Sequence, residues 1–225
     1  MGNSICLFAA WLVGWLAAPA AAQSWPQFRG LNGDGHSSEM NLPVQWAPDQ
    51  HVAWKVKIPG VGWSQPVVWG DQVFVTTAVS DKQQKPNPSD WSPGDGLGGL
   101  SAFIGSMRKP PNEEYRWKVI CLDRVTGALV WERDARTGKP NIPVHPRNSY
   151  ATETPITDGE RLIAYFGMAG IYCYDFSGKL LWNKELGTYP LQMDWGTGSS
   201  PVLFENRVFV QCDNDKSSFL VGLDK

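Results

Sequence analysis

An all-β chain of repeated four-stranded antiparallel units is what this sequence predicts, and three observations predict it. The first is a recurring stretch. LDRVTGALVWE (residues 122–132) is a strand end, a turn and a second strand, YDFSGKLLWNK (174–184) spells it again, and GLDK (222–225) begins a third copy. Aligned on Asp123, Asp175 and Asp224, the copies lie 52 and 49 residues apart, a period that belongs to propellers and solenoid arrays. The second observation is composition: 12 Trp, 23 Gly and 17 Pro in 225 residues suit short strands and tight turns better than long helices. The third is that each unit divides into short runs bounded by turn signals.

The elements follow in chain order. Residues 1–22 carry no charged side chain, run apolar from Ile5 to Ala18 and finish in APAAA before Gln23, the pattern of a cleaved export signal. The alternative is a retained anchor, since residues 5–22 are just long enough to span a bilayer. Residues 23–50 form a leader segment, and the partial propeller occupies residues 51–225. HVAWKVKI (51–58) reads as an outer strand carrying Trp54, donated from the N-terminus to close a ring. Blade one (62–135) reads as WSQPVVW, the turn Gly70-Asp71, QVFVTTAV, RWKVICLD, the turn Thr126-Gly127 and ALVWERD, with a Pro/Gly-rich insertion at 80–114. Blade two (150–186) reads as ATETPIT, the turn Asp158-Gly159, RLIAYFG, the turn Met168-Ala169-Gly170, IYCYDF, the turn Ser177-Gly178 and KLLWNKEL. Partial blade three (196–225) gives SSPVLFE, RVFVQCD and FLVGLDK, with no fourth strand. Two whole blades, a partial one and an orphan strand read as the front of a longer ring.

The repeated letters have physical roles. Asp123, Asp175 and Asp224 stand at strand ends, where a carboxylate accepts hydrogen bonds from turn amides, and Gly127 and Gly178 supply the positive φ that such turns need. Trp131 and Trp182 fall four residues beyond each glycine, and Trp54 aligns with them. A large aromatic at a fixed place in each outer strand wedges between blades and buries about 150–250 Å².

Other chemistry finds little support. A formal net charge of −2 argues against a nucleic-acid partner. Past the leader stand three cysteines, Cys121, Cys173 and Cys212, an odd number that reads as small buried apolar residues and not as a disulfide framework. His36, His51 and His145 have no ligand spacing, so no metal site is expected. NGDG (32–35) and CDND (212–215) are incomplete calcium loops and read as turns. Gly94, Gly96 and Gly99 have a formal G-x-G-x-x-G spacing but lack the preceding strand and following helix of a dinucleotide site. No G-x-S-x-G nucleophile elbow occurs. The inner strands place Trp63-Ser64-Gln65, Thr152-Glu153-Thr154 and Gly198-Ser199-Ser200 near the propeller axis, with Asp194-Trp195 just before the third. Trp63, Glu153, Asp194 and Trp195 are therefore the candidate channel-lining residues, and Glu153 is the one carboxylate inside those three segments.

CLDRVTGALVW and CYDFSGKLLW resemble the tryptophan-docking motif Ala-x-Asp-x-x-x-Gly-Lys-x-x-Trp of pyrroloquinoline-quinone (PQQ) repeat propellers. Cys121 and Cys173 replace its alanine, Ala128 its lysine, and the second copy is one residue shorter. The leader WPQFRGLNGDGHSS (25–38) resembles the segment that follows the signal peptide in exported PQQ-repeat proteins of environmental bacteria. The resemblance implies a ring of seven or eight blades. It implies either an exported, periplasmic or secreted binding and scaffold module similar to the outer-membrane assembly protein BamB, or a quinoprotein dehydrogenase. The expectation is the first: a non-enzymatic propeller without cofactor, holding a protein or glycan by its rim and loops, with no nucleic acid and no stable membrane insertion after signal cleavage. In the alternative, PQQ with calcium serves an alcohol dehydrogenase-like reaction at a site mostly in further blades. That class often carries a disulfide between adjacent cysteines, a pair this sequence does not contain.

Overall fold

A computed structural model describes residues 24–82, 109–145, 148–191 and 194–225. The expected export signal at 1–22 and residues 83–108 of the insertion, including its three spaced glycines, lie outside the described residues. Among those described there is no α-helix, and eleven strands form three antiparallel sheets, each in chain order. The first contains β1 (Val67–Trp69), β2 (Gln72–Val79), β3 (Tyr115–Asp123) and β4 (Leu129–Gly138). The second contains β5 (Ile156–Thr157), β6 (Arg161–Tyr165), β7 (Ile171–Asp175) and β8 (Leu180–Lys184), with a 3₁₀ turn at Gly167–Ala169 between β6 and β7. The third contains β9 (Val202–Phe204), β10 (Arg207–Cys212) and β11 (Phe219–Asp224). The fold is all-β, with propeller-like blades.

The middle blade shows why strands such as RLIAY carry no alternating polar row. Successive side chains of a strand point to opposite faces, and here both faces are covered. Leu162, Ala164, Tyr172 and Tyr174 pack with Phe74, Trp117, Val119 and Cys121 of blade one. Ile163, Tyr165, Ile171 and Cys173 pack with Val208, Val210 and Cys212 of blade three. The opposite face of blade one, with Val73, Ile120 and Leu122, is covered by Trp54 and Ile58.

One expectation requires correction. The inner strands are shorter than the segments expected, WSQPVVW, ATETPIT and SSPVLFE: β1, β5 and β9 each begin one residue after a proline, Pro66, Pro155 and Pro201. Proline has no N–H to give a ladder, so the pairing starts beyond it. Residues 51–58, expected as an outer strand that closes a ring, make no ladder pairing among the described residues. A strand exists through ladder bonds to a neighbour, and no described backbone runs beside this segment. Its side chains pack on blade one all the same.

The leader reaches the inner edges. Trp25 and Val68 exchange two backbone hydrogen bonds of 2.9 Å, and Thr157 N–H donates to Pro26 O at 2.9 Å. Residues 24–30 thus touch both β1 and β5. Gly30 closes this strap at φ +83°, where a Cβ would lie 2.7 Å from the Trp25 ring.

Candidate functional site

Consecutive antiparallel strands place their connections alternately at the two ends of a blade. The end holding the β3–β4 and β7–β8 turns is the docking end. Asp123 Oδ1 accepts from the backbone N–H of Val125 (3.1 Å) and Thr126 (2.7 Å) and from Thr126 Oγ1 (2.7 Å). Asp175 Oδ1 accepts in the same way from Ser177 N (2.9 Å), Ser177 Oγ (2.6 Å) and Lys179 N (3.0 Å). These bonds favour the charged form and hold both carboxyls below the usual range.

Each tryptophan meets the turn of the next unit. Trp54 Nε1 donates to Arg124 O at 3.0 Å, Trp131 Nε1 to Phe176 O at 3.0 Å, and Trp182 Nε1 to Lys225 O at 2.8 Å. The acceptor in every case is the carbonyl one residue past the aspartate. The ring then lies against the glycine: a Cβ on Gly127 would sit 2.6 Å from Trp54, and one on Gly178 would sit 2.7 Å from Trp131. Trp54 therefore stands toward blade one as Trp131 stands toward blade two, even without a strand around it.

The opposite end gathers the described parts of the long connections, 80–82 with 109–114, 139–145 with 148–155, 166–170, 185–191 with 194–201, and 213–218. Here the segments ahead of the prolines turn toward the neighbouring blades. Trp63 N–H donates to Ala151 O (2.9 Å), Gln65 N–H to Thr154 Oγ1 (3.0 Å) and Thr154 N–H to Ser200 Oγ (3.0 Å). The three inner segments are thereby laced in a row. The four candidate lining residues do not share one cavity. Trp63 borders a cleft on the blade-one side with Ile58 and Thr77, far along the row from Trp195. Asp194 sits at φ +56° in the turn that presents Trp195.

A cleft of about 380 Å³ opens between blades two and three, bordered by Tyr165, Trp195, Thr197, Gln211, Asp213 and Asp215. Trp195 is 46 % exposed, and its ring stacks on the buried His145 at 4.4 Å and 13°. Asn148 Nδ2 donates to Trp195 O at 2.5 Å, which fixes the tryptophan's backbone from the neighbouring connection. Glu153 lies one layer deeper, 1 % exposed, in contact with the Thr197 hydroxyl. Its Oε1 has no hydrogen-bond partner. Burial raises its pKa to about 7, opposed by hydrogen bonds from Thr197 and from the backbone of Glu153 and Thr152. Among the described residues no group of three His, Cys, Asp or Glu is placed to hold a metal ion.

Sequence reasoning missed Asn148, Thr197 and His145, whose roles depend on contacts between connections distant in sequence. One signal was available. Gly167 and Gly196 both have positive φ, and a Cβ on either would strike Thr197 Oγ1 (2.0 Å) or Asn148 Nδ2 (2.7 Å), so both glycines mark this close approach.

Residues 116–225 match the family model described as outer membrane protein assembly factor BamB, a PQQ-repeat model. These residues belong to the PQQ-repeat family. No curated protein matches the chain. The PQQ-repeat match covers about half of the chain, from β3 through β11, and includes Asp123, Asp175, Asp224, Trp131 and Trp182. Trp54, β1, β2 and the leader precede it. Among the described residues no helix is long and apolar enough to cross a membrane.

Proposed function

We propose that this chain is part of an exported, non-enzymatic PQQ-repeat propeller that holds a protein partner at the end carrying its long connections. The observation that carries the reading is the cleft between blades two and three, a concave site with a fixed aromatic floor at that end. Its size lies within the range of ordinary ligand sites. The matched family's description as an assembly factor supports a protein partner over a small substrate, and the charge-free apolar stretch at 1–22 supports export.

The cofactor alternative is argued against by charge. PQQ is a tricarboxylate, while the charged residues bordering the cleft are the acids Asp213 and Asp215. The described residues offer no metal-ligand cluster that would neutralise it. They do not suit that cofactor. Titration of the full chain with PQQ and calcium, followed by absorbance and by dye-linked alcohol oxidation, tests the reading. The expected result is no saturable spectrum and no turnover. A calcium-dependent PQQ spectrum with micromolar affinity would overturn it.

A further inference from the structure

The ligand chemistry of this cleft can be taken further, and the inference rests on the binding reading above. Charge in the cleft is one-sided. Asp213 and Asp215 are its charged lining side chains, Gln211 and Asn214 are its amides, and among the described residues no Lys or Arg borders it. Lys216, next in the same turn, is exposed and outside the lining. The turn is held in place, because Asp215 N–H donates to Pro190 O at 3.2 Å and Asn214 Nδ2 to Ser217 O at 2.9 Å. Asp213 accepts from Ser218 through Oδ1, leaving its second oxygen toward other donors.

One further observation bears on the ligand. Trp195 offers an open aromatic face, held from behind by its stack on His145.

We propose that the cleft binds a guanidinium group, the side chain of an arginine presented by a protein partner. A guanidinium carries five N–H donors and no acceptor, pairs with carboxylates, and stacks its plane on an indole. An ammonium has the charge but lacks the plane. Sugar hydroxyls are uncharged and would leave the two carboxylates without a counter-charge. An anion meets two carboxylates.

The test titrates the full chain with Nα-acetyl-arginine amide by calorimetry and NMR, beside Nα-acetyl-lysine amide and cellobiose. The expected result is saturable arginine binding, at least about threefold tighter than lysine, with no cellobiose binding. The double variant Asp213→Asn/Asp215→Asn should weaken it about tenfold, which is about 1.4 kcal/mol. Both positions are exposed, so the fold should survive the change. Should that variant fail to melt cooperatively, rising salt on the unaltered chain decides: affinity should drop severalfold between about 0.05 and 0.5 M NaCl. No arginine binding, binding indifferent to both variant and salt, or cellobiose that competes would overturn the assignment. Such a failure is separate from a failure of the binding-module reading, which only PQQ binding or turnover would sink.

Discussion

Replacing Glu153 by Gln removes a titrating group from the interior at almost constant shape, and the consequence can be worked out in sign and size. Burial raises the carboxyl from its ordinary 4.5 to about 7 in the folded chain. Below pH 4.5 folded and unfolded states both carry the proton, so the group contributes nothing. As pH climbs from 4.5 toward 7 the unfolded chain gives up its proton while the folded chain keeps it, and stability falls. At about 1.4 kcal/mol per unit, the loss reaches about 3 kcal/mol near pH 7 and then levels off. The glutamine amide is neutral at every pH, so the Glu153→Gln variant escapes that decline. Its amide N–H groups lack an assigned acceptor and cost about 1–3 kcal/mol, but that offset is constant with pH. The readout is therefore the change in the difference between the two proteins. Urea denaturation at pH 4.5, 6 and 8 should show the variant gaining on the parent by about 3 kcal/mol across the series, roughly 6–12 °C in melting temperature. Tyr165 and Tyr189 neighbour Glu153, and burial holds both above the ordinary phenol range, outside the window. Parallel stability curves for parent and variant would refute the reasoning.

Three further outcomes follow from the docking contacts and the core. Gly178→Ala places a methyl at φ +79° against the Trp131 ring and should cost about 1–3 kcal/mol in denaturant unfolding; an unchanged midpoint would contradict the contact. Trp131→Phe keeps an aromatic but deletes the hydrogen bond to Phe176 O and should cost about 1–2 kcal/mol, against about 3–5 kcal/mol for Trp131→Ala. The Cys121 thiol is buried and, with its pKa raised to about 12 by burial and then by Asp123, should resist alkylation in the native protein at pH 8 while reacting after denaturation; native labelling detected by mass spectrometry would refute its placement.

The blades were legible because their signals are local. Turn pairs such as Asp158-Gly159 and Ser177-Gly178, with short apolar runs between them, locate β6, β7 and β8 to within a residue or two. The inner strands were over-read because segments such as WSQPVVW were counted as ladder. Pro66, Pro155 and Pro201 stand in equivalent places, and a repeated missing donor was the available sign that each ladder starts late. Residues 51–58 show a different gap: Trp54 alone secures the docking contact, so the motif's tryptophan reports the contact and not the strand around it. At the cleft, Glu153 and Trp195 were visible as an acid and an aromatic near the axis. Their neighbours were not, because His145 and Asn148 arrive from another connection, and no periodicity links residues that meet only when two blades pack. Trp63 shared their position in the repeat but faces another cleft, since that position fixes a place along the row and not a common cavity.

The strap at residues 24–30 carries a consequence for the order of events. It is synthesised before every strand, yet one of its partners, Val68, follows Trp25 by about 43 residues, and another, Thr157, follows Pro26 by about 131. At about 5–20 residues per second, roughly 7–26 s separate the appearance of Pro26 from that of the residue that donates to it. Through that interval the strap has only β1 to pair with, because β5 is not yet made. The strap thus completes its contacts only once the second blade has begun, and it joins that blade to the first.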